Sequence, residues 1–309
     1  MSERNFRQLL ETQWARGNFV CVGLDSEFGK IPESARRSGN ECELSIPNTI
    51  VAFNRAIVEA TKDFVCAYKP NAAFYEAHGM EGIAALQRTI TDIHAIAPDV
   101  PVILDAKRAD IGNTNVGYAM AAFDFFRADA ITVHPYLGAE ALQPFLARVD
   151  KGIIVLCRTS NPGAGEFQDP DLLLTEEECQ ALFYNEATGE CTRDIPNDSI
   201  TMPFYQYVAY RVANHWNKNS NCALVVGATY PEELREVRGI IGDIPVLIPG
   251  IGAQGGDVEK TVTAGKDSRG QGMIINSSRG IIFASKDADF AEAARRETEK
   301  LRNLINQYR

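Results

Sequence analysis

The sequence predicts an α/β fold: one (β/α)8 TIM barrel over residues 1–309, with an N-terminal helical cap and long loops after strands one and five. Two observations carry this. Eight short apolar runs recur along the chain, each ending in polar or glycine-rich residues, and amphipathic helical patterns separate most of them. Near-continuous apolar runs alternating with helices denote a buried parallel sheet. Eight such units point to a closed barrel rather than an open sheet. A doubly wound open sheet is the alternative, but its G-x-G-x-x-G fingerprint is missing after the first run.

In chain order, Arg4–Trp14 has the pattern of a capping helix, and Phe19–Leu24 is the first strand. Ser26–Pro47 forms the first long loop, and Ile50–Thr61 the first barrel helix. Strand Phe64–Tyr68 and helix Gly82–Ile96 follow, then strand Val102–Leu104 and helix Val116–Phe126. The fourth unit is Ala130–Val133 with Glu140–Val149. Strand Ile153–Leu156 leads into the second long loop, Gly163–Met202, which is rich in Asp, Glu, Gly, Asn and Pro, and then helix Pro203–Asn217. The last units are Ala223–Val226 with Pro231–Ile240, Val246–Ile248 with Gly256–Ala264, and Met273–Ile275 with Asp289–Asn306. Loops of such length in a compact domain are usually functional lids or disordered insertions. Neither has apolar periodicity enough for a core of its own.

Hydrophobic content of 45% and charged content of 23% are those of a soluble globular chain. A net charge of −10 argues against a nucleic-acid or anionic-membrane binder, which needs a broad basic face. An anionic small substrate needs only a local positive site. No stretch approaches a membrane span, and Met1–Leu10 lacks a signal-peptide core, so the expected location is cytoplasmic. Of seven cysteines, Cys21, Cys66, Cys157 and Cys222 lie in apolar runs, and Cys42, Cys179 and Cys191 in polar stretches. With no C-x-x-C pair, reduced structural thiols are expected rather than zinc or disulfides.

Chemistry-bearing residues gather at the C-terminal strand ends, where barrels keep their active sites. Asp25 ends strand one and Lys69 strand two. Strand three delivers Asp105 and Lys107, two residues apart and therefore on one strand face, with Asp110 able to curl back from the loop. An ammonium flanked by two carboxylates is held cationic and makes a proton donor in a polarised pocket. Taken alone, a D-x-K-x-x-D match more often marks a solvated strand end. Two further loops outweigh that reading. The run Pro249 to Asp257 after strand seven is glycine-rich, and Asn276 to Gly280 after strand eight carries Arg279. Backbone N–H groups, a helix N-terminus and an arginine together form a phosphate site. His78, His94, His134 and His215 lack ligand spacing and read as structural; Trp14 and Trp216 read as packing residues.

These residues resemble the orotidine 5′-phosphate decarboxylases, the enzymes that make UMP. The match comprises D-x-K-x-x-D-I at strand three, S-x-P-G-A from Ser160 to Ala164, P-G-I-G-A-Q-G-G-D after strand seven and S-R-G after strand eight. The long loops are similar to those of the longer bacterial subfamily. The resemblance implies a cofactor-free and metal-free enzyme in which Lys69, Asp105, Lys107 and Asp110 form the catalytic array. Lys107 would protonate C6. Asp25 and Lys69 would hold the ribose hydroxyls, Ser160 the pyrimidine, and Gln254 and Arg279 the phosphate. Asp110 and Thr114 would reach into the partner subunit's site of a homodimer. Two rivals are weighed. Sugar-phosphate lyases of the same superfamily use Mg2+ with an acidic ligand at the end of strand two, where this chain has Lys69. A non-catalytic nucleotide-binding barrel would need no array of alternating charge.

Overall fold

The computed structural model describes residues 4–36, 45–194, 199–251 and 256–309. Eight parallel strands are present where the apolar runs predict them: β1 (Val20–Leu24), β2 (Val65–Pro70), β3 (Ile103–Arg108), β4 (Ala130–Val133), β5 (Gly152–Arg158), β6 (Cys222–Val226), β7 (Val246–Pro249) and β8 (Met273–Ser277). Each pairs with its sequence neighbours, and β8 pairs with β1. Isolated bridges Tyr68↔Val102 and Asn71↔Asp105 join β2 to β3 and close the barrel. Several strands outrun their apolar runs at the C-terminal end, β3 by four residues. There the ladder continues while the side chains turn polar, which is what places chemistry at that rim.

The opposite end is plugged. Helix Phe6–Ala15 is capped by the Asn5 side chain and buries Trp14, whose Nε1 donates to the Met273 carbonyl at 2.9 Å. Arg4 Nε lies 2.8 Å from the buried Asp129, which also accepts the Val102 N–H at 2.8 Å. Burial pushes the Asp129 carboxyl up, but bonds from His94 and Arg4 and the Arg4 charge outweigh it and hold the group down at about 2. Trp14 and His94 are structural here.

One local feature departs from plain strand geometry. Leu104 faces Ile131 and Arg108 faces Val133, so Asp105, Ala106 and Lys107 of β3 lie opposite the single residue Thr132 of β4. The extra residues form a bulge, and Lys107 takes a left-handed backbone with φ +46°. Asp105 and Lys107 do sit side by side as expected, but the reason is corrected: a bulge, not strand alternation, sets their geometry.

The helix after β3 runs from Gly112 to Phe125, four residues earlier than expected, and its second half, Met120–Phe125, is a wider π-turn. The second long loop is also corrected. It holds an antiparallel pair, Asp171–Leu174 with Ile200–Pro203, and a helix, Glu176–Phe183, started by a Thr175/Glu178 capping box. Leu174, Cys179, Leu182, Phe183 and Met202 make a small core that packs on Tyr207 and Tyr210 of helix Phe204–Arg211. Elements this short carry no readable period, and part of the core's wall, Tyr207 and Tyr210, comes from the barrel helix. Cys179 is thus buried despite its polar neighbours. Residues 37–44 of the first loop, Cys42 among them, lie outside the described residues; Phe28–Lys30 and Glu33–Arg36 are short helical turns. Of the described cysteines, Cys191 is exposed, the others are buried, and none is paired in a disulfide.

Candidate active site

A cavity of about 400 Å3 opens at the C-terminal strand ends. Its floor is an ionic array. Lys69 Nζ donates to Asp105 Oδ2 at 2.7 Å, and Lys107 Nζ donates to Asp105 Oδ1 at 2.7 Å. Lys69 and Asp105 are 4% and 7% exposed, whereas the Lys107 side chain is 51% exposed and faces the cavity. Burial alone would push the Asp105 carboxyl up; the two ammonium groups overcome it and hold Asp105 well below the usual carboxylate range. Burial alone would pull Lys69 down; Asp105, with smaller help from Asp25 and Cys21, raises it above the usual lysine value. The array thus stays ionised in a place where isolated charges could not.

Thr132, buried at the end of β4, completes it: its Oγ1 donates to Asp105 Oδ1 at 2.9 Å and accepts the Lys107 backbone N–H at 2.9 Å. Sequence reasoning missed this residue, because Thr132 sits in the apolar run Ala130–Val133 and reads as core.

Asp25 lines the cavity beside Lys69. Its Oδ1, like Asn276 Oδ1 across the floor, is buried with no hydrogen-bond partner. Two such acceptors facing one cavity suit a ligand that brings hydroxyl donors. Asn276 stood in the stretch after strand eight with no role assigned to it.

The wall after β5 carries Thr159, Ser160 and Asn161. Its base is the buried Arg158, which pairs with Asp169 at 3.1 Å and stacks 3.9 Å from the centroid of the Tyr230 ring. Gln168 Oε1 accepts the Thr159 N–H at 2.9 Å, so the start of the insertion is tied back over the cavity. Opposite, Arg279 begins the short helix Arg279–Ile282 and lines the cavity with Gly250, whose φ of +104° only glycine adopts readily. Gln254 lies outside the described residues, which omit 252–255.

Asp110 and Thr114 do not line this cavity. The Asp110 N–H donates to Asn115 Oδ1 at 2.8 Å, and its carboxylate accepts the Ile111 N–H at 2.7 Å, while Thr114 is exposed on the following helix. Within one chain, Lys107 therefore has Asp105 as its carboxylate partner, and the expectation that Asp110 curls back beside it in its own chain is corrected. Among the described residues, no group of three or more His, Cys, Asp or Glu side chains could hold a metal ion. His134 Nδ1 accepts the Tyr136 N–H at 3.3 Å, and His215 bonds Glu186 and the Leu182 carbonyl.

Known proteins resemble this chain in sequence and in fold. The family described as orotidine 5′-phosphate decarboxylase / HUMPS matches residues 20–295. The orotidine 5′-phosphate decarboxylase of Ralstonia pickettii is 46% identical over 305 residues, covering 98% of this chain and 99% of its own. Among solved structures, the Leishmania donovani OMP decarboxylase superposes with a TM-score of 0.74 at 34% identity, covering 98% of this chain and 99% of that one. Leishmania donovani UMP synthase gives a TM-score of 0.77 at 36% identity; 99% of this chain is covered but 56% of that longer one. From the full-length match and the strand-end array together, the chain belongs to the orotidine 5′-phosphate decarboxylase / HUMPS family.

Proposed function

We propose that this chain, as one catalytic barrel domain over residues 1–309, decarboxylates orotidine 5′-phosphate to UMP in pyrimidine biosynthesis, with no metal or organic cofactor. The observation that carries this reading is the Lys69–Asp105–Lys107 array, with a cation at the end of β2 where the Mg2+-dependent relatives need an acid.

The reaction breaks the bond from C6 to the carboxylate. The electron pair stays on C6, CO2 departs, and C6 takes a proton. A pyrimidine offers that pair no adjacent electron sink, so the site must stabilise it electrostatically and protonate it. Lys107, half exposed and held by Asp105, is placed to do both, and solvent returns the proton to its amine. Asp105 remains ionised, so a substrate carboxylate set against it is repelled until CO2 leaves. Asp25 and Lys69 hold the ribose hydroxyls, Ser160 meets the pyrimidine, and Arg279 with Gln254 takes the phosphate. Binding energy from the remote phosphate helps organise the reacting end.

The active form in this reading is a homodimer with shared sites, acting on a small-molecule substrate in the cytoplasm without nucleic-acid or membrane partners. Asp110 and Thr114 lie outside their own chain's cavity, and Ile111, Val116, Met120 and Phe125 beside them are exposed apolar side chains. Apolar surface of this kind marks an interface. Among the described residues, no helix is long and apolar enough to cross a membrane.

Turnover of orotidine 5′-phosphate, followed as loss of substrate absorbance with and without EDTA, tests the reading. The expected outcome is UMP formation that EDTA leaves unchanged. Activity lost to EDTA and restored by Mg2+ favours the sugar-phosphate lyase reading, and UMP binding without turnover favours a nucleotide-binding barrel.

A further inference from the structure

We infer that Thr132 is a positioning residue for proton transfer: one hydroxyl sets both the donor lysine and the carboxylate that holds it. The inference rests on the proposed function and adds to it a residue from a different strand.

Regular pairing between β3 and β4 lapses from Leu104 to Arg108, which takes the Lys107 N–H out of the regular ladder. A buried or half-buried N–H needs a partner. Thr132 supplies one from its side chain, at 2.9 Å, and spends its own hydroxyl proton on Asp105 Oδ1 at 2.9 Å. Asp105 Oδ1 is also the oxygen that holds Lys107 Nζ. A closed loop results: Lys107 backbone to Thr132 hydroxyl, Thr132 hydroxyl to Asp105, Asp105 to Lys107 ammonium. The loop defines both ends of the lysine, its strained backbone at φ +46° and its charged tip. Strain of this kind persists only where the surroundings over-determine it.

Valine at position 132 would keep the branched shape and the β4 packing but could make neither bond. Serine would keep the hydroxyl without the methyl group. Thr132 is 1% exposed where it lines the cavity, and none of the phosphate, ribose or base contacts is assigned to it.

The test compares wild type, Thr132→Val and Thr132→Ser by kcat, UMP affinity and thermal midpoint. With Thr132→Val, the inference expects kcat to fall by about 10- to 100-fold, the range for a lost hydrogen bond to a charged group. UMP affinity should stay within about threefold of wild type, well short of tenfold. Thr132→Ser should recover most of the lost kcat. Equal kcat in Thr132→Val and wild type overturns the inference. So does an equal loss in the valine and serine variants, which assigns the effect to packing, or a matching loss of UMP affinity. A wild type that binds UMP but releases no CO2 counts instead against the proposed function.

Discussion

Lys69 Nζ and Asp105 Oδ2 stand 2.7 Å apart with both side chains almost out of reach of water. Neither charge would survive there alone. The pair is the electrostatic base on which the exposed Lys107 is mounted.

Asp105→Asn should therefore destabilise the fold as well as abolish turnover. Breaking a buried pair leaves the other charge uncompensated, at a cost of about 3–5 kcal/mol. The sign of the pH dependence follows from the two shifts. Asp105 is held below its unfolded value, so its contribution is present above about pH 4 and fades as pH falls further. Lys69 is raised, so its contribution is present below about pH 10 and fades only as pH rises through its folded value. Urea unfolding of both proteins should show a gap that stays constant from roughly pH 5 to pH 9. A variant with wild-type stability would mean that the pair is not buried in solution.

Arg279→Ala should harm phosphate recognition. KM for orotidine 5′-phosphate should rise steeply, and kcat should fall as well if phosphate binding organises the site. Loss of a charge-assisted contact is worth at least about tenfold in kcat/KM. Unchanged kinetics would put the phosphate elsewhere.

Asp110 should act in the partner's site. Inactive Lys107→Ala chains mixed with inactive Asp110→Ala chains, under conditions that exchange subunits, form heterodimers in which one site carries both lesions and the other neither. Statistical mixing would restore up to about a quarter of wild-type activity. No recovery despite proven exchange would place Asp110 in its own chain's pocket.

The barrel was legible because its strands are buried on both faces and so read as apolar runs: all of Val20–Leu24 and of Met273–Ser277 is buried. Asp25, Lys69, Asp105, Lys107, Ser160 and Arg279 were legible because polar residues at the ends of such runs must converge on one rim, and the cavity gathers all six. What stayed hidden depends on register and partnership rather than periodicity. The bulge that sets Lys107 leaves no mark in hydropathy, and Thr132 is disguised by the apolar run around it. The small core of the insertion is built from elements too short to show a period. Asp110 stays out of its own chain's cavity, which the spacing of D-x-K-x-x-D does not display.

Lys107 carries the central claim, and Lys107→Ala tests it most directly when turnover and UMP binding are measured on the same folded protein. The account predicts no detectable decarboxylation with UMP affinity retained, because Asp25 and Arg279, to which the ribose and phosphate contacts are assigned, are left intact. A positioned acid contributes about 10²- to 10⁴-fold, so a variant that kept more than about a tenth of the wild-type rate would contradict it. The proton at C6 would then come from another group.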